Sequence, residues 1–205
     1  MEYLIISDTH GNYHTAAEVI AQAGHVDMIV HLGDETSDAV VLEHIFNRPV
    51  EKVAGNCDAP GKHPRELCID LGGTTMLLTH GDRYQVKMGL AQLQKRAQSA
   101  HARVVLYGHT HRAAIDEIDG ILFINPGSLH RMNTELSYAR LSLADGNLTA
   151  SIIPIVVNSD DKLDLKSLTF KLPLNNHIHS CDTHGDFRLQ AGSSLEQRQH
   201  DSLPA

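Results

Sequence analysis

Seven residues of metal-ligand type recur in short polar loops along the chain: Asp8 and His10 in SDTHGN, Asp34 in GDE, Asn56 in GNCD, His80 in THGD, and His109 and His111 in GHTH. An aspartate and a histidine two residues apart can give one carboxylate oxygen and one imidazole nitrogen to the same ion, provided the backbone between them curls. A carboxylate has two oxygens, so Asp34 can bridge two cations about 3.5 to 4 Å apart. Asp8, His10 and one histidine of GHTH would complete the first ion; Asn56, His80 and the other histidine would complete the second. A nitrogen and oxygen donor set without thiolate suits manganese, iron, zinc or nickel. Water bridging two such cations loses a proton near neutral pH, and the resulting hydroxide can attack a phosphorus whose oxygens the same cations polarise.

These loops need strands to hold them. Tyr3 to Ile6 is a short apolar run that stops at Ser7-Asp8, which predicts a buried strand. HTAAEVIAQAG then carries apolar residues at helical spacing and closes on Gly24. A second strand in DMIVHLGD, a helix over 37–46 and a third strand over 50–54 complete a β-α-β-α-β series with polar residues at the strand ends, where open α/β sheets bind ligands. ELCIDLGGTTMLLTHGD predicts a hairpin turning at Gly72-Gly73. A helix is expected over 86–99, with Leu90, Leu93 and Ala97 on one face, followed by a strand in RVVLYGHTHRA. Two more hairpins are expected, across Asp119-Gly120 and across Asp145-Gly146-Asn147. Parallel units early and hairpins late imply two packed sheets with helices outside.

The ordered motifs SDTHGN, GDE, GNCD, THGD and GHTH resemble those of the calcineurin-like metallophosphoesterase superfamily, and GNCD is similar to the small YfcE-type phosphodiesterase branch. The resemblance spans about residues 2 to 157. It implies a four-layer α/β/β/α sandwich and places His111 with Asp8, His10 and Asp34 on one ion, and His109 with Asn56, His80 and Asp34 on the other. Asn56, His80 and His109 count as catalytic as well as ligating in that scheme, with Asn56 also touching a phosphoryl oxygen. The activity implied is dinuclear metal-dependent hydrolysis of a small phosphodiester, with Mn²⁺ the expected ion and Zn²⁺, Ni²⁺ or Fe²⁺ as substitutes. Relatives form dimers or larger assemblies, so a homo-oligomer, dimer or tetramer, is expected. Alternatives on the same fold are a non-catalytic protein-interaction scaffold, a nuclease and a phosphomonoesterase.

Many superfamily members have histidine where this chain has Cys57. A thiol, with a reference pKa of about 8.5, is an inferior proton donor, which favours substrates with good leaving groups. Cys57 itself is expected as a small buried packing residue. Asp58 is expected to brace its loop, Glu35 and Asp38 to sit at a helix N-terminus, Arg112 to lie on the surface, and Asn125 to Ser128 to form a turn near the site.

Bulk properties narrow the class. A chain of 205 residues, 41% hydrophobic, can bury one substantial core. A net charge of -8 disfavours a nucleic-acid partner held by phosphate contacts. Three widely spaced cysteines, Cys57, Cys68 and Cys181, argue against a disulfide framework and for a reducing compartment. With no basic and apolar leader in MEYLIISDTH and no membrane-length apolar run, a cytoplasmic protein is expected. The metallophosphoesterase domain is expected over 1–157. Residues 158–205 read as a polar extension with a short strand around Leu168 to Leu172. A second Asp-Thr-His-Gly, at 182–185, has no apolar strand before it and reads as an echo of the first, although His177, His179, Cys181 and His184 could collect a metal adventitiously.

Overall fold

The computed structural model describes residues 1–71, 73–144, 147–157, 163–165 and 168–170. The second Asp-Thr-His-Gly and most of the extension lie outside the described residues.

In chain order the strands are β1 (Glu2–Ile6), β2 (Met28–His31), β3 (Val50–Lys52), β4 (Glu66–Asp70), β5 (Thr75–Thr79), β6 (Val104–Leu106), β7 (Ala113–Ile118), β8 (Ile121–Pro126), β9 (Leu136–Ala144), β10 (Asn147–Val157), β11 (Leu163–Leu165) and β12 (Leu168–Phe170). The helices are α1 (Tyr13–Gln22), α2 (Thr36–Phe46) and α3 (Ala91–Ser99). The first sheet has the order β11-β10-β9-β1-β2-β3, with β12 also on β10; the second has the order β4-β5-β6-β8-β7. Each sheet is mixed: β1, β2 and β3 run parallel, as do β5, β6 and β8; the flanking pairs are antiparallel, β4–β5 and β7–β8 as hairpins and β1–β9 between strands distant in the chain.

The layers follow from period-two alternation, which sends neighbouring side chains to opposite faces. On β1, Tyr3 and Ile5 enter the core between the sheets, whereas Leu4 and Ile6 face the core shared with Ala16, Val19, Ile20, Ala39 and Leu42 of α1 and α2. On the second sheet, Met76, Leu78, Val104, Leu106, Leu122 and Ile124 meet the first sheet. Leu77, Val105 and Phe123 face the other way, onto Leu93 and Ala97 of α3. The result is the four-layer α/β/β/α sandwich. Burial on both faces explains why these strands read as continuous apolar runs; each fully buried Leu, Ile or Phe contributes about 1.5–3 kcal/mol.

The expected helix over 86–99 is two pieces. Val86–Met88 forms a 3-10 turn, Gly89 takes a positive φ of 131° that favours glycine, and α3 begins only at Ala91. The apolar spacing of Leu90, Leu93 and Ala97 hides this break, because a glycine in mid-pattern costs only about 1 kcal/mol in a helix and does not by itself announce a stop. The expected turns at Gly72-Gly73 and Asp145-Gly146-Asn147 include residues outside the described ones, whereas the third matches its chemistry. The β7–β8 hairpin closes on Asp119 and Gly120, both with positive φ, as a two-residue type I′ loop requires.

Candidate metal centre

All seven predicted residues lie at the C-terminal ends of parallel strands or in the loops just beyond. Asp8 and His10 follow β1, Asp34 follows β2, Asn56 follows β3, His80 follows β5, and His109 and His111 follow β6. The parallel strands of both sheets therefore aim their loops at one edge of the sandwich. Backbone geometry there is unusual: Asp8, His10, Asp34, His109 and His111 all have φ between 45° and 68°. Left-handed backbone at non-glycine residues costs on the order of 1–3 kcal/mol each and persists where the surroundings enforce it. The enforcement is visible. The Asp8 N–H donates to Gly33 O at 3.0 Å, the His10 N–H to Asp34 O at 3.4 Å, and the His109 N–H to Asp8 Oδ2 at 3.0 Å.

Two donor groups result. Asp8, His10, Asp34 and His111 have ligand atoms all within 4.8 Å of one another, and so do Asp34, His80 and His109. Asp34 belongs to both, its Oδ2 lying 3.7 Å from His10 Nε2 and 3.3 Å from His80 Nε2. Asn56 joins the second group through Oδ1, 3.2 Å from His80 Nε2. In the first group Asp8 Oδ1 sits 3.1 Å from His111 Nε2.

His10 Nε2 is a buried nitrogen with no hydrogen-bond partner among the described residues. Such a group costs about 1–3 kcal/mol unless something satisfies it. A divalent cation among these donors would do so, and the residues present fit one.

Electrostatics keep both carboxylates ionised, the state a cation needs, and the same carboxylates raise His80, whose proton a cation would have to displace. Burial pushes the Asp8 carboxyl upward, but the His111 imidazole against it, the charge of His80 and the Ser7 hydroxyl outweigh burial and hold it below its ordinary value. Asp34 is also opposed by burial, yet His80 and the Cys57 backbone hold it well below the carboxylate range. The His80 Nδ1–H points at Leu32 O, 2.8 Å away, which leaves Nε2 facing the donor group. Burial would lower His80, but Asp34 and Asp8 raise it.

Close approach explains two glycines. A Cβ on Gly108 would collide with Ser7 Oγ and Asp8 Oδ2, and one on Gly55 would collide with the Asp34 carboxylate. Asp58 braces the loops as expected: its carboxylate accepts from the N–H groups of Asp34, Thr36 and Gly55 and from the Thr36 hydroxyl, at 2.6–3.0 Å. Asp38 lies in the first turn of α2 and accepts the Gly11 N–H at 2.8 Å. Arg112 is exposed.

Cys57 departs from expectation. It is exposed, not packed inside, because Asp58 and the Cys57 N–H bond to Asp34 Oδ1, at 2.9 Å, pin the backbone and turn the side chain outward. Partial desolvation of the thiol beside Asp34 pushes its pKa up to about 11.

Two histidines escaped the sequence reading. His130, beyond β8, packs on His10 with ring centroids 4.6 Å apart and forms a third potential donor group with His10 and His111. The rule that found the others, a polar loop after an apolar strand, applies equally to NPGSLH. Fully buried His31 accepts the Gly33 N–H on Nδ1 at 3.2 Å, which fixes its proton on Nε2, facing Thr9 Oγ1 at 3.0 Å.

Fold and site together define a class. The chain belongs to the calcineurin-like phosphoesterase superfamily, whose sequence model matches residues 1–146. It is 35% identical over 153 residues to the probable metallophosphoesterase YsnB of Bacillus subtilis, covering 73% of this chain and 88% of that protein. It is 28% identical over 145 residues to a phosphodiesterase of Methanocaldococcus jannaschii, covering 62% of this chain and 83% of that one. Among solved structures, a predicted phosphoesterase from Streptococcus pneumoniae matches with a TM-score of 0.64 at 26% identity, over 82% of this chain and 97% of the other. Vps29 of Entamoeba histolytica shares the fold, with a TM-score of 0.66 at 21% identity, over 83% of this chain and all of the other.

Proposed function

We propose that residues 1–157 form a dinuclear metal-dependent phosphodiesterase acting on a small phosphodiester. Asp8, His10, Asp34 and His111 hold one divalent ion; Asp34, Asn56, His80 and His109 hold the second, with Asp34 as the bridge. The observation that carries this reading is the pair of donor groups sharing Asp34. Bound there, two ions supply an activated water and neutralise charge on the phosphoryl oxygens.

The remaining work belongs to the chain. Asn56 is exposed, so its amide can reach a phosphoryl oxygen. Leu32 O orients His80, and Asp8 Oδ2 fixes the His109 backbone, so neither imidazole must reorganise when substrate arrives. Cys57, with a thiol near 11, keeps its proton at neutral pH: it is neither a thiolate nucleophile nor an effective proton donor. The preferred substrates are accordingly diesters whose leaving oxygen is stable as an anion. Mn²⁺ is the proposed ion, the oxygen-bearing donor set being compatible with it. No helix among the described residues is long and apolar enough to cross a membrane; we assign the protein to the cytoplasm on its odd number of cysteines, of which Cys57 and Cys68 are free among the described residues, and to a dimer or tetramer.

The filled donor set supports the enzyme over the scaffold alternative. The test is hydrolysis of bis(p-nitrophenyl) phosphate by chelator-stripped protein reloaded with Mn²⁺, beside p-nitrophenyl phosphate and an Asp34→Ala control. Metal-dependent diester cleavage that disappears in the control is expected. No turnover with any divalent ion, despite two ions bound per chain, would overturn the reading in favour of a scaffold.

A further inference from the structure

His10, His111 and His130 offer ligand atoms all within 4.8 Å of one another. Their ring centroids are 4.6 Å (His10–His130), 5.3 Å (His10–His111) and 6.2 Å (His111–His130) apart. His130 is held in place by the loops that carry the other two. Its N–H donates to Ser128 Oγ at 3.0 Å, and the Ser128 hydroxyl donates to Asp8 O at 2.9 Å. Its own carbonyl accepts the Asn133 N–H at 2.9 Å, and the Asn133 side chain reaches His111 Nδ1 at 3.4 Å. The preceding carbonyl, of Leu129, accepts from Asn12 Nδ2 at 2.7 Å, beside α1. These bonds fix the His130 backbone beside the loops that carry His10 and His111.

We propose that these three imidazoles form an all-nitrogen site for a zinc-class divalent ion, alternative to the carboxylate-bearing site of Asp8, His10, Asp34 and His111. Three neutral imidazoles are a common zinc donor set that leaves the fourth tetrahedral position open. They favour Zn²⁺ over Mn²⁺ far more than a carboxylate-rich set does. His10 and His111 cannot serve both sites at once, so zinc in the three-histidine site draws them from the paired centre. Binding there rests only on the imidazoles; its inhibitory consequence rests on the phosphodiesterase reading.

The test uses full-length, chelator-stripped protein titrated with Zn²⁺ and with Mn²⁺ against a chromogenic chelator, in Asp34-intact and Asp34→Ala backgrounds, each with His130, His130→Ala or His130→Asn. Asp34→Ala is expected to keep one Zn²⁺ per chain, and loss of His130 to weaken that ion about tenfold or more while changing Mn²⁺ affinity of the Asp34-intact protein less than about threefold. Circular dichroism reports folding of each variant, and His130→Asn retains a polar group should the alanine variant misfold. Weakening of Zn²⁺ by less than about fivefold in the folded variants, or equal weakening of both ions, would overturn the proposal. Zinc bound as described without diester hydrolysis under Mn²⁺ would leave this site standing and remove the phosphodiesterase reading instead.

Discussion

The two halves of the centre are built differently. The first half, around Asp8, His10 and His111, holds a buried nitrogen, His10 Nε2, with no hydrogen-bond partner among the described residues, while Asp8 Oδ1 lies 3.1 Å from His111 Nε2. The second half has already paired itself: His80 Nε2 lies 3.2 Å from both Asn56 Oδ1 and His109 Nδ1, and Asn56 is exposed. An ion entering the first half relieves an existing cost. One entering the second must displace contacts that already exist. The contrast suggests one side shaped as a permanent seat and one that fills and empties with conditions.

Breaking the element common to both halves should have the largest effect. Asp34→Ala is expected to lower diester hydrolysis by about a thousandfold or more and to remove the paired stoichiometry, read by elemental analysis. Persistence of two equally tight ions would show that Asp34 is not shared.

Gly108→Ala strikes the first half most directly. The added Cβ drives into Ser7 and Asp8, while the Gly108 N–H bond to His80 O reaches the second half only through the backbone, so thermal unfolding should show a loss of about 1–3 kcal/mol, with first-ion affinity falling more than the second. Equal loss of both ions would argue that the halves are not separable.

His31 sets a pH limit beneath both. Burial lowers its folded-state pKa to about 4, below the ordinary imidazole value of 6.5. Folded His31 stays neutral where the unfolded chain takes up a proton, so this contribution is complete above pH 6.5 and is lost as pH falls toward 4. The loss amounts to about 3 kcal/mol. Denaturant midpoints measured in steps across that window should fall, and His31→Gln should flatten the slope.

Titration of metal-free protein with Mn²⁺ should resolve two steps about tenfold apart, since the second ion displaces contacts each worth about 1 kcal/mol net. His10→Ala should remove the tighter step and Asn56→Ala the weaker. Coincident steps would erase the distinction between the halves.

The smallest effect concerns strain. His10 has φ 45° and an unpartnered Nε2, so His10→Gly should leave metal-free stability unchanged or raise it by up to about 1 kcal/mol. A clear loss would mean that its packing against His130 outweighs the strain.

Most of the site was legible because each of the seven residues follows an apolar strand, and parallel strands deliver their ends to one edge. The sandwich was legible for a related reason: strands buried on both faces, such as LIIS and VVLY, have no polar alternation. The loop of His130 follows an apolar strand like the others, but its pairing with His10 depends on a bond between Ser128 and Asp8 across 120 residues, which no local spacing reports. The break at Gly89 was hidden by a helical apolar pattern that continues through it. The outward turn of Cys57 depends on the Asp58 bonds to two loop segments, 34–36 and Gly55, and residue type alone pointed the other way.

The tie between Ser128 and Asp8 also lengthens the loop closures on which the site depends. The Asp8 loop is fastened by Gly33, by the His109 amide and by Ser128 and Leu129. β1 is itself flanked by β9, which begins only at Leu136. The bonds from the His109 amide and from Ser128 join segments more than a hundred residues apart in the chain, the kind of contact that makes folding slow, so the loop that opens the site is shaped by the most distant pairings of the fold.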